Sequence, residues 1–281
     1  MLKKLYGKSK TWFAVVWIIA YCVLMSAGDS LSEMVGTEKS VTLGVGLLLT
    51  VILLLFFKKN ALFAAYGLCR SNASAREMLW YLPVFLMLTA NLWYGVTLNY
   101  CAVETALYIL SMLCVGFLEE VIFRGLLFNA MREDNLKAAV FVSSLTFGIG
   151  HIINLFNGSG AELLPNLLQI VYATAAGFMF VMMYLRSGSL LGCIAAHGIF
   201  NALSVFANEA ATQGARILTC ALLTVITGAY AVYLAWTMKG ERNDLRTDAR
   251  SDLSRGKVGD GNKRRFADHA GFARYADGAQ R

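Results

Sequence analysis

Long, uninterrupted apolar runs recur along this chain, and each is close to the length a helix needs to cross lipid. A transmembrane helix needs about 20 apolar residues. Runs of that kind cover residues 11–28, 41–57, 79–98, 104–131, 136–153, 163–185, 189–207 and 216–238. Only helices or a closed barrel satisfy every backbone group in hydrocarbon. These runs are continuous rather than alternating, so they read as helices. Composition agrees: 57% of residues are hydrophobic and 15% are charged, against about 25% charged in soluble domains. The expected fold is all-α, an integral membrane protein with about eight transmembrane helices over residues 1–238. Residues 239–281 are charged and lack apolar periodicity, which predicts a disordered cytoplasmic tail. Its Lys263-Arg264-Arg265 stretch and His269 are read as solvated, with anionic lipid the other reading for the basic stretch.

The formal net charge is +7, but the basic residues sit beside spans and in the tail, so nucleic acid is not the expected partner. Near spans, Lys and Arg mark the cytoplasmic side. Placing the amino terminus in the cytoplasm gives that side Lys3, Lys4, Lys8, Lys10, Lys58, Lys59, Arg70, Arg76, Arg132, Lys137, Arg186, Lys239 and Arg242. The opposite loops receive Lys39 and Arg216 among Asp29, Glu33, Glu38, Glu104, Glu162 and Glu209. The bias implies both termini in the cytoplasm. The first run exceeds the about 7–15 residues of a signal h-region and reads as an uncleaved anchor. The six cysteines form no CxxC pair and read as small buried hydrophobes.

Ionisable groups inside a span cost about 2.5–3.5 kcal/mol each on insertion scales. The fourth run nevertheless holds Glu119, Glu120 and Arg124. Glu120 and Arg124 are i, i+4 neighbours and can pair. Glu119 is rotated about 100° away and lacks that local partner. Two of the three histidines, His151 and His197, also lie in apolar runs. Phe147 shares a face with His151, and Asn201 shares one with His197. Glu119 and His151 lie about 13 and 16 residues either side of the polar turn 132–135, which at about 1.5 Å per residue predicts a similar depth.

These residue types leave two chemistries open. In one, Glu119 and an imidazole hold a water while His197 and Asn201 donate to an oxyanion. In the other, Glu119, His151 and His197 are three ligands for a metal such as Zn²⁺. The soluble signature HExxH is absent.

The ordered set Glu119-Glu120-x-x-x-Arg124, Phe147-x-x-x-His151 and His197-x-x-x-Asn201 resembles the three motifs of the CAAX prenyl endopeptidase and bacteriocin-processing family, also called the Abi or CPBP group of intramembrane proteases. The resemblance covers about residues 104–205. It implies an eight-span fold with a cytosol-facing cavity, water activation by Glu119 and His151, and an oxyanion site at His197 and Asn201. It also implies a membrane-associated peptide or lipoprotein substrate, prenylated (CAAX-type) or bacteriocin-like, and either a glutamate or a metal mechanism. A transporter or proton relay, or a non-proteolytic immunity or scaffold protein, are the readings from other classes. No internal repeat of the transporter kind is visible.

Overall fold

Short polar signals set where the helices begin and end. Helix α1 (Leu2–Lys8) breaks at Ser9, whose Oγ accepts from the Trp12 amide at 3.2 Å and starts α2 (Lys10–Val35). Gly36, at φ 74°, closes α2, and α3 (Ser40–Lys59) follows at once. After α4 (Leu82–Leu92), the 31-residue α5 runs from Ala102 to Arg132. Asn135 then caps α6 (Leu136–Leu155) by accepting from the Ala138 amide at 3.0 Å. Helices α7 (Leu163–Ser187), α8 (Leu191–Phe206) and α9 (Gln213–Ser254) complete the order. The computed structural model describes residues 2–156, 162–208 and 212–254, and among these there is no strand.

All eight expected runs are helical, but they are not equal. Within the described residues, six are long and apolar enough to cross a membrane: α2, α3, α5, α6, α7 and the Gln213–Met238 part of α9. The third and seventh, α4 and α8, are shorter apolar helices. In α4 the reason is local. Leu79 and Tyr81 take positive φ (50° and 57°), Gly95 does so at 103°, and both ends of the expected 79–98 run are lost. Helix α8 stops where Ala207 turns extended and bridges to Val96. Helix α9 continues past residue 238 to Ser254. The expected tail from residue 255 onward, with Lys263-Arg264-Arg265 and His269, lies outside the described residues, as does Glu209.

The outer faces are apolar, with Val16, Ile19 and Val23 on α2, Leu48 and Leu55 on α3, and Val225 and Val232 on α9 all exposed. Helix α5 is the opposite case. Residues 118–129 are buried on every side, so this stretch is the axis of the bundle. Two close crossings gather the other helices to it. A Cβ added to Gly116 on α5 would lie 2.5 Å from the backbone of Gly198 on α8. On α6 and α7, Gly148 meets Thr174 and Gly177 meets Ser144. Small-xxx-small spacing of this kind lets backbones touch in lipid. Gly177 has that use here.

The inter-helix turns are fastened in two groups. At one end, Lys10 pairs with Glu133 at 3.0 Å, the Leu190 amide donates to the Gly67 carbonyl at 2.7 Å, and the Asn72 amide donates to the Ser187 carbonyl at 2.8 Å. The Ser189 hydroxyl donates to the Cys69 carbonyl at 2.6 Å. At the other end, Asp29 accepts from Lys39 and Thr42 at 2.8 and 2.7 Å, and the Glu38 amide donates to Glu104 at 3.1 Å.

A Cβ at position 116 forces α5 and α8 apart. Gly116→Ala is expected to lower the melting temperature in detergent, at about the 1–3 kcal/mol typical of overpacking. Gly44→Ala, where an added Cβ meets nothing within 4 Å, should leave it unchanged or slightly higher. Equal behaviour of the two variants would contradict the close crossing.

Candidate active site

Helix α5 does not stay α-helical through the charged region. From Glu120 to Phe128 it is a nine-residue π-helix, all of it buried. A π segment widens the turn and changes which carbonyls find partners within the helix; such segments collect at functional sites. The Phe123 carbonyl here accepts from the Ser143 hydroxyl of α6 at 2.9 Å, which ties α6 to the wide stretch.

The two glutamates meet one imidazole. His197 Nδ1 lies 2.8 Å from Glu120 Oε1, and His197 Nε2 lies 3.4 Å from Glu119 Oε2. Arg124 Nη1 donates to the same Glu120 oxygen at 3.1 Å, the i, i+4 pair expected from spacing. These groups are deeply buried: Glu120 and Arg124 are 0% exposed, His197 5% and Glu119 8%. The Tyr21 hydroxyl of α2 donates to Glu119 Oε1 at 2.7 Å. Each carboxylate thus has one oxygen hydrogen-bonded, while Oε2 of each has no hydrogen-bond partner among the described residues.

Aromatic rings complete the walls. The Arg124 guanidinium lies 4.0 Å from the Phe147 ring centre and 5.5 Å from that of Phe180. Phe180 stacks on His197 at 5.5 Å, and Phe147 meets His197 and His151 edge-on at 5.5 and 5.4 Å. Apolar slabs around a cation–carboxylate pair keep water off it and strengthen the pair.

His151 and Asn201 lie beside this cluster. With His197, Gln169, Phe147 and Phe180 they line a cavity of about 30 Å³, room for about two waters at 10–15 Å³ each. The imidazole in contact with Glu119 is that of His197. No hydrogen bond or ion pair joins Glu119 to His151 among the described residues. His151 is set by its own backbone, since its carbonyl accepts from the Asn166 side chain at 2.8 Å.

The trio Glu119, His151 and His197 does not fit a three-ligand zinc seat. Among the described residues no group of three or more His, Cys, Asp or Glu side chains converges as a metal ion requires. Both ring nitrogens of His197 face carboxylates, and His151 meets Phe147 edge-on.

Sequence reading missed Tyr21. It is one tyrosine in an apolar helix 98 positions from Glu119, and nothing local distinguishes it from a packed aromatic. It also missed the π segment, which leaves no spacing signature of its own.

Removing Arg124 strips a buried carboxylate of its cation. Arg124→Met is expected to destabilise the protein by about 3 kcal/mol, the low end for a broken buried pair because His197 remains. Adding Glu120→Gln should recover part of the loss. Denaturation of both variants in detergent measures this, and no recovery would contradict the pairing.

Comparison with known proteins follows the same residues. Residues 101–203 match the family described as Type II CAAX prenyl endopeptidase Rce1-like. No match is found among curated proteins or among solved structures. The matched segment begins at the start of α5 and ends within α8, and it holds all three ordered motifs and all of the geometry above except Tyr21. Over residues 101–203 this membrane-embedded chain is similar to that family, which supports its membership of the CPBP group.

Proposed function

We propose that the protein is an intramembrane endopeptidase that hydrolyses a peptide bond of a membrane-associated substrate, with Glu119 as general base. The contact of a buried carboxylate with a buried imidazole, Glu119 Oε2 to His197 Nε2 at 3.4 Å, carries the reading. The family description supports a CAAX-type substrate.

Each side chain has a part in one balanced sequence. Glu119 Oε2 takes a proton from water while the water oxygen bonds to the scissile carbonyl carbon. The carbonyl π electrons move to oxygen, and the oxyanion accepts hydrogen bonds from His197 Nε2–H and the Asn201 amide. Re-formation of the carbonyl breaks the C–N bond, and Glu119 returns the proton to the leaving amine. Glu120 accepts from His197 Nδ1, which turns Nε2 toward the reacting group. Arg124 holds Glu120 in place. His151 holds the same water from the cavity side.

The membrane frame is part of the proposal. We take α4 and α8 as crossings too, short ones sheltered by longer neighbours, giving eight with both termini and the cavity mouth on the cytosolic side. The grouping of basic turns around the Lys10–Glu133 and Asn72–Ser187 contacts supports that orientation.

The test is cleavage by purified protein in proteoliposomes. A farnesylated CAAX peptide and its unprenylated counterpart separate the substrate classes. Glu119→Gln and His197→Ala should each lower kcat/KM by about 10²–10⁴-fold, the usual contribution of a general base or oxyanion donor. Wild-type turnover by folded Glu119→Gln would overturn the assignment, and flux of an ion that depends on Glu119 would favour a transporter instead.

A further inference from the structure

We infer that Tyr21 is a positioning residue of this hydrolytic site, contributed by a helix outside the segment that matches the family; the inference rests on Glu119 being the base. The Tyr21 side chain is buried at 8% exposure, and its hydroxyl donates to Glu119 Oε1 at 2.7 Å. That distance is typical of a charge-assisted O–H to carboxylate bond.

A terminal carboxylate torsion is broad and roughly two-fold, so a glutamate in an apolar setting has no reason of its own to aim one particular oxygen. Here the two oxygens have different partners. Oε1 is held from α2 by Tyr21, and Oε2 faces His197 Nε2. Since Oε2 has no hydrogen bond from the described residues, it is the oxygen open to a water, and Tyr21 decides which oxygen that is. Helix α2 is itself fixed against the π segment of α5, with Phe13 and Trp17 packed in the same buried cluster as Val121 and Ile122. The hydroxyl is therefore carried on a rigid element, as a positioning group requires.

A merely structural tyrosine makes a different prediction. If the hydroxyl only tied α2 to α5, its removal would cost stability and leave turnover alone. A matched control exists in the same cluster: Tyr66 donates to the Tyr6 hydroxyl at 2.8 Å, on α1 and away from the carboxylates.

The experiment compares Tyr21→Phe, Tyr6→Phe and Glu119→Gln in proteoliposomes, measuring kcat, KM and melting temperature. Tyr21→Phe is expected to lower kcat by about 10–100-fold with KM within about twofold, the loss of one hydrogen bond to a charged group. Tyr6→Phe is expected to show a similar melting shift with native kcat. Tyr21→Leu, which removes the ring as well, should reduce kcat at least as far. Native kcat in Tyr21→Phe beside an inactive Glu119→Gln would overturn the inference and leave the base assignment standing. An equal kcat loss in Tyr6→Phe would also overturn it, as general loosening. A fully active Glu119→Gln would remove the base assignment itself.

Discussion

The burial of two adjacent carboxylates inside a lipid-facing helical bundle is the constraint that the rest of this structure answers. Both Glu119 and Glu120 are buried, and an unpartnered charge there would be prohibitive. Offsetting it takes a cation on the same helix, an imidazole from α8 and a hydroxyl from α2. The rings of Phe147 and Phe180 beside the guanidinium then exclude water from the pair. Helices α2, α6, α7 and α8 are thus drawn to one stretch of α5, which explains why that stretch is buried on every side while the ends of the helix are not.

Close approach is what makes this possible. The imidazole can touch both carboxylates because α8 lies directly against α5, and glycine on each helix removes the side chains that would hold them apart. The same device recurs one layer away, where Ser144 and Gly148 meet Gly177 and Thr174. In lipid, where hydrocarbon offers helices no hydrophobic reason to associate, van der Waals contact between small residues is a principal attraction. The site and its scaffold therefore draw on one kind of packing.

Much of this could be read from residue order, and what could not has physical reasons. The apolar runs gave the helices, because length and continuity are local properties. Glu120 and Arg124 gave their pairing, because i+4 neighbours on a helix must meet. The ends of α4 were misjudged because left-handed backbone at Leu79 and Tyr81 is unusual for those residue types and has no apolar signal. Spacing set Glu119 and Glu120 on different faces, as if they served different partners. The imidazole carries nitrogens on two sides of one small ring, so a single histidine serves both. No spacing argument on α5 alone contains that fact, and none contains a tyrosine hydroxyl arriving from the first long helix.

The loop between α3 and α4 reaches across to hold the turn before α8, through Gly67, Cys69 and Asn72. Gly67 sits there at φ 73°, where a Cβ would strike Tyr184. That turn is only seven residues ahead of His197, so the loop works as a ruler: its length sets the height at which the imidazole meets the carboxylates. An insertion between residues 60 and 72 would act at a distance, shifting the register of α8 and not merely decorating a surface. Variation in this outlying loop is thereby coupled to the geometry of the bundle's centre, although the loop contributes no atom to it.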